Sequence, residues 1–272
     1  MDYSALNAKL AAKRAKLLRH DDFVKLCQAG SPEHFFALLQ QQPPYMEFTQ
    51  NKAADFGLGF SLLAEQQQLR KFVTNAKARQ LLNFAAKAAN QNNSPQENLQ
   101  AWAYVNSLPR GQNRQALTYT LGSQIDLKNI LTAYRLKCYY PQADVYHHLT
   151  PISYRLSKQS LKQMAESPGL PEFFVALRNC TYKNLLSKDE NFAVTGHMPV
   201  TSHSLAADYP PEAEFTQEAA TIHAKAAKRY PRSMAGVGSY FFAKQREVSL
   251  LKSISEAHKY GLAASAFSSY IH

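Results

Sequence analysis

An all-α fold is expected from two features of the 272-residue sequence. Only ten glycines stand among abundant Ala, Leu, Gln and Lys, a helix-forming mixture. Alternation of period two, the signature of strands, is hard to find, whereas apolar residues recur at helical spacing.

The elements follow in order. Residues 4–19 set Leu6, Leu10 and Leu17 on one side and Lys9, Lys13 and Lys16 on another, an amphipathic opening helix. "FVKLCQAGSPEHFFALLQ" reads as two short helices: Gly30 ends the first, and Ser31-Pro32-Glu33 offers an N-cap, a proline at the first helical position and an early acid. Residues 60–89, with Leu62, Leu63, Leu69, Phe72, Val73, Leu81, Leu82 and Phe84, read as continuing helix until the polar loop "ANQNNSPQEN". Helix resumes through Trp102 and Val105, pauses at Pro109-Arg110-Gly111, resumes through Leu117 and is expected to stop near Gly122.

The next stretch, "SQIDLKNILTAYRLK", reads as a fresh helix. Asp126 is a suitable N-cap and Asn129 can reach back as a capping-box residue would. Leu127, Ile130, Leu131 and Tyr134 then form one apolar stripe, with Arg135 and Lys137 where the helix dipole favours cations. An irregular connector is expected at 187–214, and helical composition returns from Phe215 through "SYFFAKQREVSLLKSISEAHKYG" to a short final helix at "AASAFSSYI".

The chain also repeats itself. A shift of 138 positions lays residues 23–39 on 161–177 without a gap: Phe23 meets Leu161, Leu26 meets Met164, Phe35-Phe36 meet Phe173-Phe174, and Leu39 meets Leu177. Tyr45 and Tyr182 follow the two hairpins. Upstream of each hairpin lies a basic helix, with Asn7 and Lys13-Arg14 in one copy and Asn129, Arg135 and Lys137 in the other. A third, fainter copy begins at "KQREVSLLKSI", with Glu247 where Asp126 stands.

Composition bounds function. The net charge of +11 and pI near 9.5 favour an acidic partner, such as nucleic acid, an anionic lipid surface or an acidic protein face. The charges are spread along the chain without a polybasic block or an aromatic RNA-binding signature. Cys27, Cys138 and Cys180 have no CxxC spacing, so neither a disulfide framework nor a thiolate metal site is expected, and a reducing, cytoplasmic compartment fits. No window approaches the roughly 20 apolar residues that span a bilayer, so a soluble or at most peripheral protein is expected.

Catalytic patterns are missing. There is no GxxxxGK[ST] phosphate loop; "GVGSY" at 236–240 is too short for one and is expected to ease helix packing. Adjacent His147-His148 would point about 100° apart on a helix and cannot share one metal. His197, His203 and His223 are expected on solvent-facing loops, the cysteines in or near the core, and the two Phe pairs as the repeated core. No catalytic, cofactor or metal residue is expected.

These motifs together carry a family resemblance. "IDLKNILTAYRLK" followed by "HHLTPISYRLSKQSLKQMAESPGLPEFFVALRNCTY" resembles the AC39-like family of V-type and A-type rotary ATPases, a family of central-stalk subunits. The shared pattern is a D-x-x-N-[IL] helix start (Asp126, Asn129, Ile130) with later basic residues (Arg135, Lys137), an L-x-P turn with a downstream L-[ST] pair (Leu149, Pro151, Leu156, Ser157), a helical hairpin, and an end at Leu177, Cys180, Thr181 and Tyr182. "FFAKQREVSLLKSI" resembles the family's late A-K-E-x-E helix, with Gln245 in place of an acid, and "YSALNAKLAAKRAKLL" resembles its first helix.

The resemblance implies one domain over residues 1–272, made of three similar helical subdomains in a pseudo-threefold funnel, at about 1–110, 111–186 and 215–272 with the connector at 187–214. It implies a non-catalytic central-stalk rotor subunit without a cofactor, coupling the shaft subunits to the membrane rotor ring. No nucleic acid and no stable homo-oligomer are then expected. Asp126, Asn129, Arg135, Lys137 and Glu247 become structural or interface candidates. The other reading open to the sequence is a free-standing basic helical-repeat protein that binds RNA or another acidic partner.

Overall fold

The computed structural model describes residues 3–46, 57–90, 93–186 and 211–262. Among these, all regular structure is helical: α1 Ser4–Arg14, α2 His20–Cys27, α3 Pro32–Gln40, α4 Gly57–Arg70, α5 Ala76–Ala88, α6 Pro95–Ser107, α7 Gln112–Tyr139, α8 Lys158–Glu166, α9 Leu170–Arg178, α10 Pro211–Arg229 and α11 Ala235–Lys259, with short 3-10 turns at Pro43–Tyr45 and Val145–His148. None of these helices is long and apolar enough to cross a membrane.

Local chemistry sets most boundaries. Ser31 Oγ accepts from the His34 amide and Pro32 opens α3. Ser94 and Glu97 form a reciprocal capping box ahead of Pro95, with Ser94 N–H donating to Glu97 Oε2 at 2.8 Å and Glu97 N–H to Ser94 Oγ at 3.2 Å. The two Asn75 bonds, from the amides of Lys77 and Ala78, start α5.

Several expected boundaries differ. The opening helix stops at Arg14 rather than residue 19. The helix expected over 60–89 is two, because Asn75 caps a new one and Val73 turns into the core, its carbonyl taken by Arg79 Nε at 2.7 Å. Helix α7 does not stop at Gly122 but runs 28 residues through it. Glycine is tolerated there because the Tyr154 side chain lies against it: an added Cβ would fall 2.5 Å from Tyr154 Cγ. Asp126 therefore sits inside a helix and is not an N-cap, and Asn129 closes no capping box. Helix α10 begins at Pro211, four residues ahead of Phe215 and still within the expected connector, and is separate from α11. The remainder of the connector and the expected final helix at "AASAFSSYI" lie outside the described residues.

The described chain divides into two compact units. The first comprises residues up to 90 together with 231–262, and the second comprises 93–186 and 211–230. In the first, α11 packs against α1, α2, α3, α4 and α5. Its core joins Phe23, Leu26, Cys27, Phe35, Leu39 and Tyr45 to Val248, Leu251 and Ile254 of α11. Gly236 lets α1 approach, where an added Cβ would stand 3.3 Å from Asn7 Oδ1. In the second, α7 is the central helix, packed by α6, α8, α9 and α10.

Each unit holds one copy of the repeated hairpin. The bounds of α3, Pro32–Gln40, shifted by 138 positions become those of α9, Leu170–Arg178. The rings of Phe35 and Phe36 meet edge-on at 5.1 Å and those of Phe173 and Phe174 at 5.6 Å, so the aligned pairs serve as core in both places.

Candidate functional site

The spacing in D-x-x-N puts Asp126 and Asn129 three residues apart on one face of α7, so both address the same loop, residues 149–156. Asn129 clamps the L-x-P turn: its Nδ2 donates to the Thr150 carbonyl at 2.9 Å and its Oδ1 accepts the Thr150 amide at 2.8 Å. One turn earlier, Asp126 takes the exit of the same loop. Its Oδ1 accepts from Tyr154 N–H at 3.1 Å, and its Oδ2 from Arg155 N–H at 2.7 Å, Leu156 N–H at 3.0 Å and the Tyr182 hydroxyl at 3.1 Å.

Asp126 is 0 % exposed, and among the described residues no cation forms an ion pair with it. Burial pushes its carboxyl above the usual range, against the pull of the Arg155, Tyr154 and Leu156 amides and the Tyr182 hydroxyl. The same burial, with the Asp126 charge next, pushes the Tyr182 phenol up, so it holds its proton and donates.

The first unit builds the same tie from other residues. Glu247 of α11, 4 % exposed, accepts the Tyr45 hydroxyl on Oε1 at 2.5 Å and the Leu18 amide on Oε2 at 2.6 Å. Leu18 is the 138-position counterpart of Leu156, each standing two residues before the first hairpin helix, and Tyr45 takes the part of Tyr182. Here a cation completes the cluster: Lys244 Nζ donates to Glu247 Oε1 at 2.5 Å and to the Tyr45 hydroxyl at 2.7 Å, with Nζ 4.4 Å from the Tyr45 ring centroid. Burial and then Glu247 push the Tyr45 phenol well up.

The basic tail of each long helix has a matching task. Lys137 Nζ donates to the Ser167 carbonyl at 2.5 Å, just past the end of α8. His258 Nε2 lies 2.8 Å from the Leu26 carbonyl in the last turn of α2. Each follows its carboxylate by eleven residues. Both engage a carbonyl at the C-terminal end of a short helix, where intrahelical donors run out; the Leu26 carbonyl also accepts the Ala29 amide at 3.4 Å. Arg135 instead faces solvent, its Nε 2.9 Å from Glu212 Oε1 and its Nη2 on the same oxygen, on side chains 49 % and 44 % exposed.

Thus Asp126, Asn129 and Lys137 are brought together around one loop and hairpin, Arg135 lies apart on the surface, and Glu247 belongs to the other unit. Asn7, aligned by sequence with Asn129, instead donates to the Pro231 carbonyl at 3.1 Å. Its helix is not the counterpart of α7 in this tie: that place belongs to α11. Lys244, in the Glu247 cluster, and His258, at the end of α2, are contacts not expected from the sequence. A signal exists for the first, since Lys244 stands in the A-K-x-x-E stretch, but a Lys–Glu pair at i, i+3 ordinarily lies on a wet surface.

His223, expected on a loop, is 2 % exposed inside α10, its Nε2 2.9 Å from Gln124 Nε2 of α7, and burial lowers its pKa to about 3. His197 and His203 lie outside the described residues. His147, in a 3-10 turn, is 3.6 Å from Asp144 on exposed side chains. Cys27 is buried, and Cys138 and Cys180 are half-buried.

Chemically these carboxylates are ties. Every oxygen already accepts at least one N–H or O–H, and the facing tyrosines are driven toward their neutral, donating form. What the arrangement fixes is the path of the chain into each hairpin. The deciding comparison is with known families: residues 99–270 match the description ATP synthase (C/AC39) subunit, which covers α7 with its tie, both helices of the second hairpin, and α10 and α11. The chain belongs to the ATP synthase (C/AC39) subunit family. No curated protein matches the sequence. Membership in the C/AC39 family associates the chain with the V-type and A-type ATPase complex as a stalk subunit.

Proposed function

We propose that the chain is a non-catalytic central-stalk rotor subunit of a V-type, A-type-like ATPase, joining the central shaft to the membrane rotor ring during ion translocation. The observation that carries this reading is the family match over 99–270. The two buried ties support it, because a part that transmits torque needs its helices locked and uses no nucleophile. In this reading the protein is cytoplasmic and peripheral to the membrane, uses no cofactor, and forms the three-part funnel with subdomains at about 1–110, 111–186 and 215–272. Arg135, at the surface, is the interface candidate.

The test is affinity purification of the chain from native membranes. Shaft and ring subunits should co-purify. Recovery of nucleic acid without any ATPase subunit overturns the proposal in favour of a basic protein that binds an acidic polymer, a reading favoured only by the net charge of +11. Arg135→Glu should weaken that co-purification more than it lowers the melting temperature.

A further inference from the structure

Four arginines of the second unit donate nothing from their side chains to Asp126. An open groove of about 370 Å3 is lined by Arg110, Arg114, Gln115, Thr118, Tyr154 and Tyr230, contributed by the entry to α7, the loop before α8 and the end of α10. Among the described residues no acidic one lines it. Two more guanidinium groups stand close by: Arg229 lies 5.6 Å from the Tyr230 ring centroid, and Arg155 and Arg229 both act electrostatically on Tyr154. Among the described residues no carboxylate pairs with Arg110, Arg114, Arg155 or Arg229, in contrast to Arg135 with its Glu212.

The walls are held in place. Arg114 Nη1 is 3.3 Å from the Leu108 carbonyl. Tyr154 is wedged against Gly122, its backbone amide is fixed by Asp126, and its ring meets Trp102 edge-on at 6.2 Å. Like charges gathered without a counter-charge repel one another, so a group that brings several negative charges is favoured there. The guanidinium fork matches phosphate oxygens. The space exceeds one bare phosphate and falls in the range of small organic ligands.

We propose that this groove binds a small ligand bearing phosphate groups, with Arg110 and Arg114 on its phosphate oxygens and Tyr154 and Tyr230 as walls. The source of the phosphate is either a soluble phosphorylated molecule or a phosphorylated lipid headgroup. The inference does not rest on the rotary-subunit reading, and its test uses the isolated full-length chain.

Trp102 is the only tryptophan of the chain and touches Tyr154, so intrinsic fluorescence reports on the groove. Titration with inositol 1,4,5-trisphosphate should give a saturable change in emission. Binding should weaken by about tenfold or more in the double variant Arg110→Gln, Arg114→Gln, and stay unchanged in the charge-matched control Arg70→Gln, Lys71→Gln. Should the double variant fail to fold, Arg110→Gln alone, on an exposed side chain, carries the comparison. Binding to vesicles containing phosphatidylinositol bisphosphate without binding of the free trisphosphate assigns the headgroup source, and the reverse assigns the soluble one. Absence of a saturable response to both probes at millimolar concentration, or an undiminished response in the arginine variants, overturns the proposal.

Discussion

The buried carboxylates of the two units do one job under different electrostatic terms. Asp126 is held by three amides and a hydroxyl and, among the described residues, by no cation, whereas Glu247 is held by one amide, a hydroxyl and Lys244. One turn before Asp126 stands buried Ser123, where Lys244 precedes Glu247. A charge out of water can be stabilised by many dipoles or by one opposite charge. The repeat keeps the tie, and the means of holding its charge varies between copies.

That contrast can be broken in order of effect. Glu247→Leu strands Lys244 in the core and should destabilise the first unit by about 3–5 kcal/mol, read by denaturant unfolding and by amide exchange at Val248 and Leu251. Adding Lys244→Met should recover part of the loss. If the double variant is as unstable as the single, charge pairing is not what holds the cluster.

Asp126→Asn leaves no ion behind, but it turns a donor toward one of the four groups that Asp126 accepts. The expected cost is about 1–3 kcal/mol, with faster amide exchange confined to Tyr154, Arg155 and Leu156. An unchanged exchange rate there would refute the tie.

Acid should separate the units next. His223 is held neutral, with its pKa lowered to about 3 from an ordinary value near 6.5. Because the folded pKa is depressed, its contribution is present above pH 6.5 and is lost as pH falls toward 3. Between pH 6.5 and 5 the second unit should lose roughly 2 kcal/mol through this group. Asp126 acts in the opposite sense: its raised pKa makes its contribution fullest below the ordinary carboxyl range and lost as pH rises through the folded value. The informative quantity is therefore the stability difference between wild type and His223→Gln across that interval. A pH-independent difference would refute the buried neutral imidazole.

The smallest effects lie at the hairpin caps, where Ser31 caps α3 through its side chain and Gly169 precedes α9 with no side-chain cap. Ser31→Ala should cost about 1 kcal/mol and Gly169→Ser should gain a few tenths, seen as opposite shifts in melting temperature.

What can be read from the sequence is what short-range rules decide. Ser31-Pro32 and the Phe pairs mark the hairpins because caps and helical stripes act over one or two turns. Gly122 reads as a stop because only the Tyr154 ring, 32 residues on, accounts for a glycine inside α7. Asp126 reads as an N-cap for a related reason. A carboxylate that accepts amides from its own helix and one that accepts them from a distant loop are the same residue in the same apolar setting. The candidates Asp126, Asn129 and Glu247 come from the resemblance and the repeat, and their donors stay hidden, since Leu18 and Leu156 contribute backbone that any residue but proline would provide. His223 reads as solvent-facing because a lone polar side chain ordinarily faces water, and its burial comes from the packing of α10 on α7, which local sequence does not show.

The order of the pieces also bears on how the protein is made. Asp126 meets Tyr182 and Leu156 across 56 and 30 residues, so that hairpin can close soon after it leaves the ribosome. The first hairpin waits for Glu247, 202 residues after Tyr45 and 229 after Leu18, while the whole second unit is synthesised in between. Until then Phe23, Phe35 and Leu39 lack the apolar face of α11, and chaperones have a long interval in which to hold them.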